Sequence, residues 1–139
     1  MRNDEQTRNK EVVTRFNREV IEQGKPAAYT ELLAPDFINR SAPPGSPTGP
    51  DGMQYFFEKM LRPALADLRV EIHQQVGEGA WVATRKSITG THRGELAGLA
   101  ATGKPVRIEV FELVRIENGR YVEHWAQTSL AEVLTQLRG

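Results

Sequence analysis

The stretch KPVRIEVFELVRI, ENG, RYVEHWAQTS (residues 104–129) decides the fold. Both arms are rich in β-branched and aromatic residues, and Asn118-Gly119 supplies the left-handed turn residues of a hairpin. One face of the first arm reads Val106, Ile108, Val110, Glu112, Val114, Ile116. A carboxylate in an apolar row is costly to bury unless paired, hydrogen-bonded or neutralised. Glu112 therefore needs a partner, and the turn decides which residue lies across from it. A two-residue turn at Asn118-Gly119 sets Trp125 opposite Glu112. A three-residue loop (Glu117-Asn118-Gly119) with a G1 bulge sets His124 there and Ala126 opposite Val110. The second is preferred, because it puts Val122, His124, Ala126 and Thr128 on the apolar face. The first would put Tyr121, Glu123, Trp125 and Gln127 there, and a one-residue slip exchanges the two faces.

At 139 residues the chain reads as one domain with room for a core that needs no covalent staple. Eighteen basic and eighteen acidic side chains cancel, so no electrostatic footprint for nucleic acid or an anionic membrane is expected. With no cysteine there is neither a disulfide nor a thiolate. The three histidines lack metal-ligand spacing, so no metal is assigned. Glycines 90, 94, 98 and 103 form no nucleotide-binding pattern, and no serine sits in a G-x-S-x-G elbow. No apolar run of membrane-spanning length and no leader pattern is seen, and a cytoplasmic protein is the expectation.

Outward from the hairpin, Val12, Val13, Phe16, Val20 and Ile21 predict an amphipathic helix over residues 4–23, with Asp4 as N-cap and Gly24 just past the end. Pro26 opens a short second helix to Leu33, followed by an extended piece over 37–40 and a proline- and glycine-rich loop over 41–52. A third helix over 50–61 carries the stripe Met53, Phe56, Phe57, Met60, Ala64, which reads as a core face. Strands are predicted from Asp67 and over 80–91, and a last helix over 130–137. His73 is expected on a polar, exposed face and His92 at a solvated loop entrance. Helices followed by antiparallel strands give an α+β fold, a curved sheet with helices on its concave face. The other face carries Phe111, Leu113, Tyr121 and Trp125 among charges, a mixture that predicts a homodimer interface.

The line GTHRGELAGLAATGKPV followed by NGRYVEHW, with the opening helix, DFINR and the G-P-D-G start of the third helix, resembles the SnoaL-like polyketide cyclases of the nuclear transport factor 2-like (cystatin-like) superfamily. The resemblance covers nearly the whole chain. It implies a cone-shaped α+β fold of three N-terminal helices on a mainly antiparallel sheet, and a small-molecule pocket on the concave side. It also implies cofactor-free chemistry and oligomers. Cyclases of this family close a ring by intramolecular aldol condensation of a polyketide ester. They use an aspartate two residues after the histidine of a His-Trp-Asp motif, with a histidine and a glutamine on the adjoining strand. Here the motif reads His124-Trp125-Ala126, and the adjoining positions are Glu112 and Val110. Only His124 is unchanged.

A methyl group cannot move a proton, so the acid is either relocated to Glu112 or lost. If relocated, Glu112 and His124 are the catalytic pair. Burial raises the carboxyl pKa, a protonated His124 lowers it, and the two titrate together. Such a pair takes a proton alpha to a carbonyl and steadies the enolate. The implied pocket would be lined by Asn39, Arg85, Val110, Ala126, Phe16 and Phe57. Asn39 either orients a substrate oxygen or caps a turn; Arg85 either binds an acidic group or is a surface cation. The ligand would be a small hydrophobic carbonyl compound, polyketide-like or cyclic, undergoing aldol-type cyclisation or isomerisation. The alternatives are a non-catalytic ligand-binding or partner protein on the same fold, where the Glu112–His124 pair only fixes strand register, and a polyketide-tailoring hydroxylase-type member.

Overall fold

The computed structural model describes residues 2–139. Helix α1 (Arg2–Arg15) runs without a break into a wider helical turn over Phe16–Glu22, so Asp4 lies inside the first turn and is not its cap. Gly24, at φ +63°, ends it as the sequence suggests, its N–H donating to the Val20 carbonyl. Helix α2 (Pro26–Leu32) leads into β1 (Leu33–Asn39), which begins earlier than expected. Helix α3 (Pro50–Tyr55) also widens, over Phe56–Leu61. Strands β2 (Leu65–Glu78), β3 (Trp81–His92), β4 (Pro105–Glu117) and β5 (Arg120–Thr128) follow, and α4 (Leu130–Arg138) closes the chain. Among the described residues this α+β arrangement has four helices, the expected three plus the predicted C-terminal one.

The five-stranded curved sheet has the order β1-β5-β4-β3-β2, antiparallel except where β1 runs parallel to β5. Strand β4 alternates as its sequence requires: all six residues of the row from Val106 to Ile116 are buried, Glu112 among them. Against this wall pack Val13, Phe16, Val20 and Ile21 from the first helix, and Phe57 and Leu61 from the third. The Tyr121 ring stacks on Phe16 at 4.5 Å and 21°, and Phe57 meets Phe16 edge-on at 6.0 Å. Aromatic pairs in these arrangements add about 0.5–1.5 kcal/mol beyond their buried area.

The hairpin follows neither expected register. Asn118 and Gly119, at φ +52° and +74°, form a two-residue turn with both central residues left-handed, and Glu117 pairs with Arg120. The ladder then slips: Ile116 faces Tyr121, but Arg115 faces Glu123. Val122 is the extra residue of a β-bulge. The two-residue turn puts Tyr121 inward, where it is 1% exposed, and the bulge beyond it brings His124 to the concave side, opposite Val114. Ala126 faces Glu112, and Thr128 faces Val110. Tyr121 is therefore no part of the outer face. That face instead exposes Phe111, Leu113 and Trp125, and a cross-strand row runs Val76, Ala83, Leu113, Trp125.

His92 is fully buried, not solvated, with Nδ1 3.0 Å from the Thr102 hydroxyl. His73 is half-buried, its Nε2 2.7 Å from Ser87 Oγ. No helix among the described residues is long and apolar enough to cross a membrane.

Candidate active site

Glu112 projects from the middle of β4 into the concave interior and is 8% exposed. Its two oxygens have different partners. Oε1 lies 3.2 Å from His124 Nε2, so the expected pair forms, diagonally across the β4–β5 ladder. Oε2 accepts from Lys86 Nζ at 3.1 Å, and both side chains are at most 5% exposed. Lys86 sits on β3 in the inward series Val82, Thr84, Lys86, Ile88, all buried. Its ammonium also donates to Asn17 Oδ1 at 2.7 Å. The Asn17 amide is fixed in turn, because its Nδ2 donates to the Val13 carbonyl at 2.8 Å. The ammonium thus has two acceptors in a setting where an unpaired charge would cost several kcal/mol.

The chain of contacts continues outward from β5 to the end of β1. His124 Nδ1 lies 3.0 Å from Asn39 Oδ1, and the Ser41 N–H donates to that same oxygen at 3.0 Å. The Ser41 contact fixes which end of the Asn39 amide faces the ring. Both imidazole nitrogens therefore face acceptors, a carboxylate and an amide oxygen. The ring is positioned by backbone as well: the Arg40 N–H donates to the His124 carbonyl at 2.8 Å, where the end of β1 meets β5.

Burial alone would push the Glu112 carboxyl up. The Lys86 ammonium, helped by His124, outweighs it and holds the carboxyl at about 2. Burial, reinforced by the Glu112 charge, pushes the Tyr121 phenol well above its ordinary value, so Tyr121 stays protonated. Its hydroxyl and that of Thr84, which faces Glu112 from β3, are buried without a hydrogen-bond partner.

Of the other sequence candidates, Val110 is buried one position along from Glu112 on the same face, and Ala126 is half-buried opposite Glu112. The Ala126 N–H donates to Ser41 Oγ at 2.8 Å. Phe16 and Phe57 are core residues of the same interior. Arg85 does not belong to the site: it is exposed on the convex face, opposite Phe111, because odd positions of β3 point outward. Lys86 and Asn17 were not singled out from the sequence. The signal for Lys86 was its parity with Val82 and Ile88. Two surface clefts, of about 410 and 660 Å³, open elsewhere, one along α3 at Asp51, Tyr55 and Glu58, the other along β2 at Arg18, Glu22 and Val70.

A profile of the SnoaL-like polyketide cyclases matches residues 11–137. The chain belongs to the SnoaL-like polyketide cyclase family. Among solved structures it is similar to a protein of Acidithiobacillus ferrooxidans assigned as a polyketide cyclase, at 27% identity and TM-score 0.79, over 94% of each chain. IdmH of Streptomyces antibioticus, also assigned as a polyketide cyclase, is 26% identical with TM-score 0.79, over 94% of this chain and 99% of that one. AclR of Streptomyces galilaeus, assigned as a hydroxylase, shares the fold at 24% identity and TM-score 0.81, over 96% and 97%. No curated protein matches in sequence. In this SnoaL-like chain, then, the concave wall holds Lys86, Glu112 and His124 in one line, with Ala126 where the resemblance places the family's aspartate.

Proposed function

We propose that this chain is a cofactor-free small-molecule enzyme that moves a proton on a polyketide-like or cyclic carbonyl compound, in an aldol-type cyclisation or an isomerisation. The observation that carries the reading is the contact between a buried Glu112 and the more exposed His124 ring on an otherwise apolar wall. The His124 side chain is 12% exposed against 5% for Glu112, so a ligand meets the imidazole first. One N–H of the His124 ring gives its proton to the ligand's carbonyl oxygen as the α-carbon releases its own to the Glu112 carboxylate. The C–H electron pair becomes the enol double bond, and the carbonyl π pair becomes the new O–H bond. A carboxyl held at about 2 is a weak base. The pair therefore suits an α-carbon already acidified by two carbonyls, as in a β-dicarbonyl segment. The exposed Phe111, Leu113 and Trp125 support association of two copies through the convex face, now without Tyr121.

Deuterium exchange at the α-carbon of ethyl 2-methylacetoacetate, a β-dicarbonyl, tests the reaction. The wild type should accelerate exchange over buffer, and His124→Asn and Glu112→Gln should each cut it by about 10²–10⁴-fold. Exchange that survives His124→Asn defeats the reading. The second reading, a non-catalytic binding protein, draws support from the engagement of both Glu112 oxygens by protein groups; it expects no exchange in any variant.

A further inference from the structure

Strand β2 is an end strand of the sheet, so one side of it has no neighbouring strand. Such an edge presents backbone N–H and C=O groups and invites another strand to add on. At Val70 the edge is occupied by side chains. The Val70 N–H donates to Glu22 Oε2 at 2.7 Å, and its C=O accepts from Arg18 Nη1 at 2.6 Å. The same two side-chain atoms bond each other at 2.7 Å. One acceptor and one donor, side by side, are what a residue of an antiparallel strand offers in a hydrogen-bonded pair. Arg18 and Glu22, one turn apart on the first helix, thus stand where a sixth strand would lie. They close the edge lightly: the Arg18 side chain is 42% exposed, and ion pairs that reach solvent are weak. The cleft of about 660 Å³ already opens along this stretch, lined by Arg18, Glu22, Leu68, Arg69, Val70 and Ile72 among others.

The strand beneath reads Leu68-Arg69-Val70-Glu71-Ile72, and it is complementary to itself when run antiparallel. With Val70 set opposite the Val70 of a second copy, Arg69 meets Glu71, Glu71 meets Arg69, and Leu68 meets Ile72. Opposite charges and apolar groups facing each other in this way are the pairs that stabilise a ladder. Because Val70 bonds through its edge groups, Arg69 and Glu71 fall at the closer, non-hydrogen-bonded pairs, where side chains approach most. Both are exposed, while Leu68 and Ile72 are half-buried at the cleft. A contact that is its own two-fold mate closes as a dimer. Bulges between Ala66 and Arg69 and between Ile72 and Gln74 keep the pairing stretch short. We propose that this edge is a docking surface for the β2 strand of a second copy, kept shut by the Arg18–Glu22 pair. When the pair swings out, Val70 of the second copy supplies the same acceptor and donor, and the two sheets join edge to edge. This surface is separate from the convex face and independent of any reaction at Glu112 and His124.

Sedimentation velocity in a Phe111→Glu, Trp125→Glu background, which takes away the convex contact, tests it. With the Arg18–Glu22 pair intact the protein should stay monomeric. Opened by Arg18→Ser with Glu22→Ser, it should associate at least tenfold more tightly, and the Val70 and Ile72 amides should exchange with solvent more slowly in the associated form. Adding Arg69→Glu sets like charges across the pair and should return the opened protein to monomer; Glu71→Arg on top of it should restore the association. An opened protein that stays monomeric, an association that survives Arg69→Glu, or a charge swap that fails to restore it overturns the proposal. So does a closed protein that associates as tightly as the opened one. Should the opened variant not fold, Glu22→Gln, which keeps the shape of the side chain and drops the charge that holds Arg18, carries the same comparison.

Discussion

Replacing Glu112 by glutamine should change how stability depends on pH, and not only its level. The folded carboxyl is held at about 2, below its ordinary 4.5. Because the folded value lies under the unfolded one, the stabilisation is complete above about 4.5. It fades as pH falls towards 2 and is gone below that. At ~1.4 kcal/mol per tenfold change in proton affinity, this one group contributes roughly 3 kcal/mol at neutral pH. Glu112 is buried, so solvent screening does not discount the figure. The variant also leaves the Lys86 ammonium, 4% exposed, without its anion, and breaking a buried pair from one side costs about 3–5 kcal/mol. Urea unfolding followed by the fluorescence of Trp81 and Trp125, from pH 7 down to pH 2, measures the difference. Wild type should exceed Glu112→Gln by several kcal/mol at pH 7, and the two should converge as pH approaches 2. The carboxyls of Glu19, Glu109 and Glu123 are also lowered, by hydrogen bonds to Arg15, Ser87 and Arg40, but they are common to both proteins and cancel. A gap that stays constant across the range would show that Glu112 is not ionised in the folded protein, and the reasoning would fail.

Gly119→Val forces a β-branched residue to φ +74° where a Cβ would meet no neighbouring atom, so the cost is conformational alone, about 1–2 kcal/mol, seen as a lower thermal midpoint. An unchanged midpoint would mean that the turn has another form. Tyr121→Phe removes an unpartnered buried hydroxyl and should leave stability unchanged or higher by up to about 1 kcal/mol in denaturant melts. A clear loss would show that the hydroxyl is bonded. Phe111→Glu with Trp125→Glu should convert a dimer to a monomer by sedimentation velocity; an unaltered mass excludes the convex face as the contact.

The sequence shows the fold where local pattern and burial agree. The alternation of β4, the Gly24 stop and the core stripe of Phe16, Val20 and Ile21 were all legible, because each is set by neighbours within a few residues. The hairpin register was not. Asn118-Gly119 argued for two residues, yet a two-residue turn with no further irregularity would have put Glu123 and Gln127 on the apolar face. The bulge at Val122 resolves that conflict one pair beyond the turn, and nothing in Tyr-Val-Glu announces it. Glu112 and His124 could be brought together on paper because they share a hairpin. Lys86 could not, since its partners stand 26 and 69 residues away and a lone strand lysine reads as a surface cation. Its absence from the sequence reading also left the Glu112 shift as a contest between burial and His124, which the ammonium tips downward. Arg85 and Lys86 exchanged roles for the same reason, one position of strand parity.

The protonation state of His124 tests the centre of this account most directly. In ¹⁵N-histidine-labelled protein at pH 7, the account predicts that Nε2 of His124 carries a proton, with a correlation towards Glu112. A bare Nε2 at that pH would contradict it, because the carboxylate would then face no proton donor.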